Sequence, residues 1–154
     1  MSSKKTWKEK LYNSKGLPKV QNIDENMSKR WGTGTFVIPA PVEVYEIMKT
    51  VPEGKLITVS EIRQLLAGKH NTTIACPLTT GIFAWIAANA SEEAKASGED
   101  EGIPYWRTLK SDGSLNEKYP GGIDQQKFYL EMEGHKVIKK GKKYIVENFQ
   151  KCLI

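Results

Sequence analysis

Cysteine and histidine are scarce in this chain, with two of each among 154 residues. Cys76 and Cys152 have no second Cys or His at metal-ligand spacing, and His70 and His135 lie far apart. No zinc site, disulfide framework, metal or cofactor is therefore expected. Long apolar runs are missing too. No stretch approaches the ~20 apolar residues of a membrane span. The Lys-rich start lacks the apolar core of a secretory signal. These absences point to a cytoplasmic protein without a membrane partner.

Hydrophobic residues make up 39% and charged residues 27%, which at this length suffices for one core without staples. The net charge of +5 is uneven. Residues 1–31 hold eight basic side chains (Lys4, Lys5, Lys8, Lys10, Lys15, Lys19, Lys29, Arg30) against three acidic ones. Residues 136–151 carry Lys136, Lys139, Lys140, Lys142, Lys143 and Lys151 against Glu147. Between them, residues 91–102 are acidic, with Glu92, Glu93, Glu99, Asp100 and Glu101 against Lys95. Two basic ends can form one polyanion-facing surface or simply keep the chain in solution. Charge alone leaves both readings open.

The punctuation of the chain suggests its organisation. Residues 1–35 read as a basic arm, broken by Gly16, Pro18, Gly32 and Gly34, with one short amphipathic helix around Trp7, Leu11 and Tyr12. Residues 36–154 read as one domain. Phe36-Val37-Ile38 opens it, and Pro39 and Pro41 precede a helix presenting Val44, Ile47 and Met48. A turn at Val51-Pro52-Glu53-Gly54 leads to a short extended stretch. Ser60 then suits the cap of a helix with Ile62, Leu65 and Leu66 on one face and Gly68 near its end. Pro77 suits the first turn of another helix, running to about Asn89. Two such helices across a brief turn suggest a helix-turn-helix. The acidic segment 91–102 reads as a surface loop or a frayed helix turn. Asp124 opens a helix with Phe128, Leu130 and Met132 available for packing, and residues 137–146 read as a hairpin with a basic turn. The expected fold is α+β, mainly α: a single winged-helix-like domain with a helix-turn-helix and a small β hairpin.

Four pieces of the chain occur in the order of a known family. They are Val51-Pro52-Glu53-Gly54-Lys55, the helix over residues 79–89, the block 103–122 with Arg107, Ser111-Asp112-Gly113-Ser114-Leu115 and Pro120-Gly121-Gly122, and Leu130-Glu131-Met132-Glu133-Gly134-His135. With them the chain resembles the DNA-binding domain of alkylguanine-DNA alkyltransferases over roughly residues 40–146. In that family a cysteine thiolate, deprotonated by a neighbouring histidine that a glutamate orients, removes an alkyl group from guanine. The corresponding motif here is Pro104-Tyr105-Trp106-Arg107. A phenol with a pKa of about 10 stays protonated at neutral pH, and an indole offers a donor but no base. The resemblance therefore implies the branch without the reactive cysteine, a non-catalytic protein. Glu133 has no histidine to orient. A bond to nearby backbone or to Arg107 is the simpler role for it.

What the resemblance implies for binding is double-stranded DNA read with little sequence preference, damaged or alkylated bases, repair proteins as further partners, and a monomer. The helix residues implied are Thr79, Thr80, Gly81, Phe83, Ala84, Ala87 and Asn89, with Lys139, Lys140, Lys142 and Lys143 on phosphates. Thr80 and Val59 stand where the family has its base-flipping arginine and tyrosine, and Phe83 either wedges between base steps or packs with Trp85 on the arm. The base pocket implied comprises Tyr105, Trp106, Arg107, Ser111, Gly113, Ser114, Gly121, Gly122 and Glu133. Tyr105 and Trp106 either stack on an extruded base or plug the cavity. Cys76, at a helix start, is either a second reactive thiol or a core cap. The acidic segment is expected to oppose DNA at the pocket mouth, and His135 to be solvated. A different class of reading stays open: a protein-interaction module on this fold, with a plugged pocket and no DNA role.

Overall fold

The computed structural model describes residues 6–98 and 102–154, so the readings made on Lys4, Lys5, Glu99, Asp100 and Glu101 lie outside the described residues. Local chemistry explains most element boundaries. Helix α1 (Trp7–Tyr12) starts where Thr6 accepts the Glu9 N–H, and α2 (Glu25–Trp31) where Asp24 accepts that of Met27. Strand β1 (Lys19–Asn22) lies between them. Strand β2 (Thr35–Ile38) runs antiparallel to it, and β4 (Ile74–Ala75) joins β2 in parallel. Helix α3 (Pro41–Lys49) has Pro at its first position, and Glu43 reaches back to the Ala40 N–H.

Helix α4 (Val59–His70) is capped by Thr58, not Ser60. Thr58 and Glu61 exchange hydrogen bonds of 3.1 and 3.3 Å in a reciprocal capping box. It ends at Asn71, in the left-handed region, rather than at Gly68. Strands β3 (Ile57–Thr58) and β5 (Thr108–Leu109) pair in parallel. Helix α5 starts at Pro77 and continues to Ser97, well past Asn89. Residues 92–97, Glu-Glu-Ala-Lys-Ala-Ser, are mostly strong helix formers, and Gly98 supplies the left-handed stop. The acidic segment, expected as a surface loop or a frayed helix turn, is thus about two further turns of helix up to that point. Helix α6 (Gly122–Met132) and the hairpin β6 (Val137–Lys140) and β7 (Lys143–Val146) complete the fold, with the turn at Gly141-Lys142.

Helices α4 and α5 pack together as the helix-turn-helix, and the hairpin, the wing, packs on α6 and the 112–114 loop. The larger core cluster gathers Val37, Val44, Met48, Ile57, Ile62, Leu66, Ala84, Ala87, Ala88 and Tyr105. A smaller one joins Leu56, Leu109, Leu115, Leu130 and Val146. No described helix is long and apolar enough to cross a membrane.

The segment expected to be an arm is, from residue 6 onward, built into the fold. Leu11 is buried with Ile86 and Ala90 of α5, and Trp7 meets Trp85 edge-on at 4.7 Å. Glu93 accepts the Trp7 and Lys8 backbone N–H groups at the α1 start. The boundary drawn at 35/36 falls inside β2. Charge and turn residues suggested an arm, but Trp7 and Leu11, one helical turn apart, bury together on α5.

Candidate functional site

The Tyr105–Arg107 turn sits where the core meets α6; Tyr105 turns to Glu92 and Gln125, whereas Trp106 and Arg107 share Glu133. Tyr105 has 0% of its surface exposed. Its ring lies edge-on to Trp106, Tyr119 and Tyr129, with centroids 5.5, 5.6 and 6.5 Å away. Its hydroxyl donates to Glu92 Oε1 at 3.0 Å and accepts from Gln125 Nε2 at 2.8 Å. Burial, reinforced by the Glu92 charge, raises the phenol's pKa well above 10, against the Gln125 bond. The tyrosinate is therefore still less accessible than in water.

Trp106 stacks on Tyr129 at 4.4 Å with 25° between planes, and its Nε1 donates to Glu133 Oε2 at 2.9 Å. Arg107 grips the same carboxylate through Nε at 2.9 and 3.1 Å and Nη2 at 2.7 Å, and its Nη1 donates to the Val51 carbonyl at 2.7 Å. Glu133 Oε1 also accepts the Gly54 N–H at 3.3 Å. Burial works against the charged form, but the bonds from Arg107, Trp106 and Gly54 outweigh it and hold this carboxyl below the ordinary 4.5. Glu133 is thus the centre of a clamp joining the 51–54 turn, the 105–107 turn and the end of α6.

These contacts decide between stacking and plugging for Tyr105. Its ring is fully buried in the core and both hydroxyl functions are used, which leaves it no face for stacking on a base. Glu92 and Glu93, expected at a pocket mouth, turn inward onto Tyr105 and α1. Gln126, fully buried, ties the segment from below: its amide donates to the Trp106 and Thr108 carbonyls, and its Oε1 accepts the Asn116 N–H. Sequence reasoning missed Glu92, Gln125, Gln126, Tyr119 and Tyr129. The signal for α6 was a polar stripe, because Gln126, Tyr129, Leu130 and Glu133 recur at helical spacing on the inner side. Phe128 and Met132, expected to pack, are exposed instead.

The glycines and serines of the expected pocket serve the loop more than a cavity. Gly113, with φ +84°, lies so close to Phe149 that an added Cβ would fall inside that ring. Ser114 is buried and bonds to Asp112. Lys143 and Ser114 together hold the Asp112 carboxyl far below the carboxylate range. Gly121 and Gly122 start α6. Ser111 donates or accepts with Ser60 at 2.6 Å.

The outward face of α5 differs from the one expected. Thr80, Ala84 and Ala87 are 0–1% exposed and pack into the core, and the Thr80 hydroxyl is spent on the Cys76 carbonyl. Their small size serves close packing of α5 rather than a groove. The Thr79 hydroxyl is buried, Asn89 bonds back to the Trp85 carbonyl, and Phe83 packs among the core residues and the α1 cluster. Phe83 is therefore a packing residue and no wedge. The face turned outward carries Leu78 (71% exposed), Gly81, Ile82 (42% exposed) and Trp85. With Val59, Pro77, Lys110, Ser111, Asn116, Glu117 and Lys118 these residues enclose a groove of about 520 Å³, and Ala84 reaches its floor. Trp85 Nε1 donates to the Lys118 carbonyl at 3.1 Å, closing one side.

Lys139, Lys140, Lys142 and Lys143 are exposed on the hairpin. Lys143 pairs with Asp112 at 2.7 Å. A hollow of about 140 Å³ between the hairpin and residues 110–117 shares Lys110 and Glu117 with the groove, so wing and groove adjoin. Cys76 is a buried free thiol at the α5 cap, without a His or second Cys beside it in sequence. His135, expected to be solvated, is half-buried, and its Nε2 has no hydrogen-bond partner among the described residues. No cluster of His, Cys, Asp and Glu suited to a metal occurs among the described residues.

No family model matches the chain, and no curated protein matches it. Among solved structures it is similar to S. pombe Atl1 in complex with damaged DNA containing O6-carboxymethylguanine. That similarity has 20% identity and a TM-score of 0.52, and covers 74% of this chain and 93% of that one. It is likewise similar to S. pombe ATL in complex with DNA, at 19% identity and a TM-score of 0.53 with the same coverage. At such identity the likeness is one of fold, and it agrees with the α+β, mainly helical architecture expected from the sequence.

Proposed function

We propose that this chain is a non-catalytic DNA-binding protein that reads damaged or alkylated bases. The observation that carries the non-catalytic part is the filled site: a buried tyrosine occupies the position of the nucleophile, and the carboxylate that would orient a base is committed to Arg107 and Trp106. The DNA part is supported by the adjoining groove and basic wing, and by a fold shared with proteins crystallised on DNA. The outer face of α5 lies along the duplex, and Lys139, Lys140 and Lys142 meet phosphates, which gives affinity with little sequence preference. Damage is read at the groove beside Trp85, since Tyr105 leaves no cavity. Repair proteins as further partners, a monomeric state and a cytoplasmic location belong to the same proposal.

The test is binding of matched plain and O6-alkylguanine duplexes to the wild type and to Trp85→Ala, which alters the reading groove. Both duplexes are expected to bind, the alkylated one more tightly. Equal affinities throughout would remove the damage reading and leave DNA binding. No binding at low salt would favour the protein-interaction module. Intact mass should stay unchanged after incubation with the alkylated duplex; a covalent gain that Cys76→Ser abolishes would assign alkyl transfer to Cys76.

A further inference from the structure

Helix α1 does more than close the core. Its apolar residues Trp7 and Leu11 lie on α5, while Lys8 and Lys10 are exposed. The Lys10 ammonium stands 4.2 Å over the Trp7 ring. Trp7 in turn meets Trp85 at 4.7 Å, and Trp85 both lines the groove and donates to the Lys118 carbonyl. A line of short contacts therefore runs from Lys10 through two indoles to Lys118. Lys110, on the same groove wall, continues it to Lys142 and Lys143 of the hairpin. The acids along this line are Glu9, Glu93 and Glu117. Glu93 is bound to the α1 backbone N–H groups, and Glu117 pairs with Lys110 at 3.0 Å.

We propose that α1 is a second DNA-contacting element, with Lys8 and Lys10 extending the phosphate-binding surface beyond the groove. Trp7 sets its position by clamping Trp85. The inference rests on the DNA-binding reading above, and its partner is the duplex backbone, because ammonium groups exposed on one helix suit phosphates and carry no sequence information. Anchoring by Leu11 and Glu93 presents these lysines on an ordered helix, which lowers the entropy cost of each contact.

The experiment is a salt titration of an undamaged duplex followed by fluorescence anisotropy, comparing wild type, Lys8→Gln/Lys10→Gln and Trp7→Phe. The double variant should bind at least about fivefold more weakly near ~0.1 M salt, with a log–log salt slope smaller by about 2. Trp7→Phe keeps both lysines and should retain the wild-type slope. Unchanged affinity and slope in the double variant, with wild-type binding present, would overturn this proposal alone. Absence of wild-type binding would overturn the DNA reading on which it rests. An unchanged thermal midpoint in the double variant shows that charge, rather than folding, is measured.

Discussion

Replacing Glu133 by glutamine should cost about 3–5 kcal/mol, because it leaves the Arg107 guanidinium without its counter-charge in a nearly closed site. The side chains of Arg107 and Glu133 are only 14% and 8% exposed, so water cannot take over the role. A glutamine Oε1 still accepts from one neighbour, but its amide hydrogens then face the Arg107 donors or the Trp106 N–H. For a chain of this size each kcal/mol lowers the melting point by ~2–4 °C, so a fall of roughly 6–20 °C is expected near neutral pH. The effect should also depend on pH. Glu133 is held below 4.5 in the folded state, so its stabilisation is complete above 4.5 and is lost as pH falls through the folded value. Wild type and variant should therefore converge in acid. Thermal and urea unfolding at several pH values measure this directly. A difference below ~1 kcal/mol near neutral pH, or one independent of pH, would refute the clamp.

Two more outcomes follow from the site. Tyr105→Phe removes the hydroxyl shared by Glu92 and Gln125 and should destabilise by about 1–2 kcal/mol, read as a lower urea midpoint at unchanged slope. Burial holds His135 below 6.5, so the unfolded chain binds the extra proton; stability should fall as pH drops from 6.5 toward the folded value, and the His135→Gln variant should lack that part of the fall in urea unfolding.

Much of the fold was legible because it rests on short-range chemistry. Pro41 and Pro77 at helix starts and the basic turn between two short apolar runs at residues 137–146 act within a few residues of themselves. That positions 105 and 106 offer neither a thiol nor an imidazole was equally plain, since it depends on residue type alone. The faces of α5 were not legible. Ala84 and Ala87 suit close approach to DNA and close packing on another helix equally well, and only the placement of α3 beside α5 selects the second.

The sequence by itself determined that no thiol–imidazole pair stands at the motif, and that two helices and a hairpin follow one another in this order, because side-chain chemistry and local periodicity need no neighbours to be read. Only the tertiary structure decided that Tyr105 is buried in the core, that Glu133 clamps Arg107 and Trp106, and that Trp7 and Leu11 fold back on α5. Each of those depends on residues tens of positions apart being packed together, where exclusion of water sets the worth of every contact.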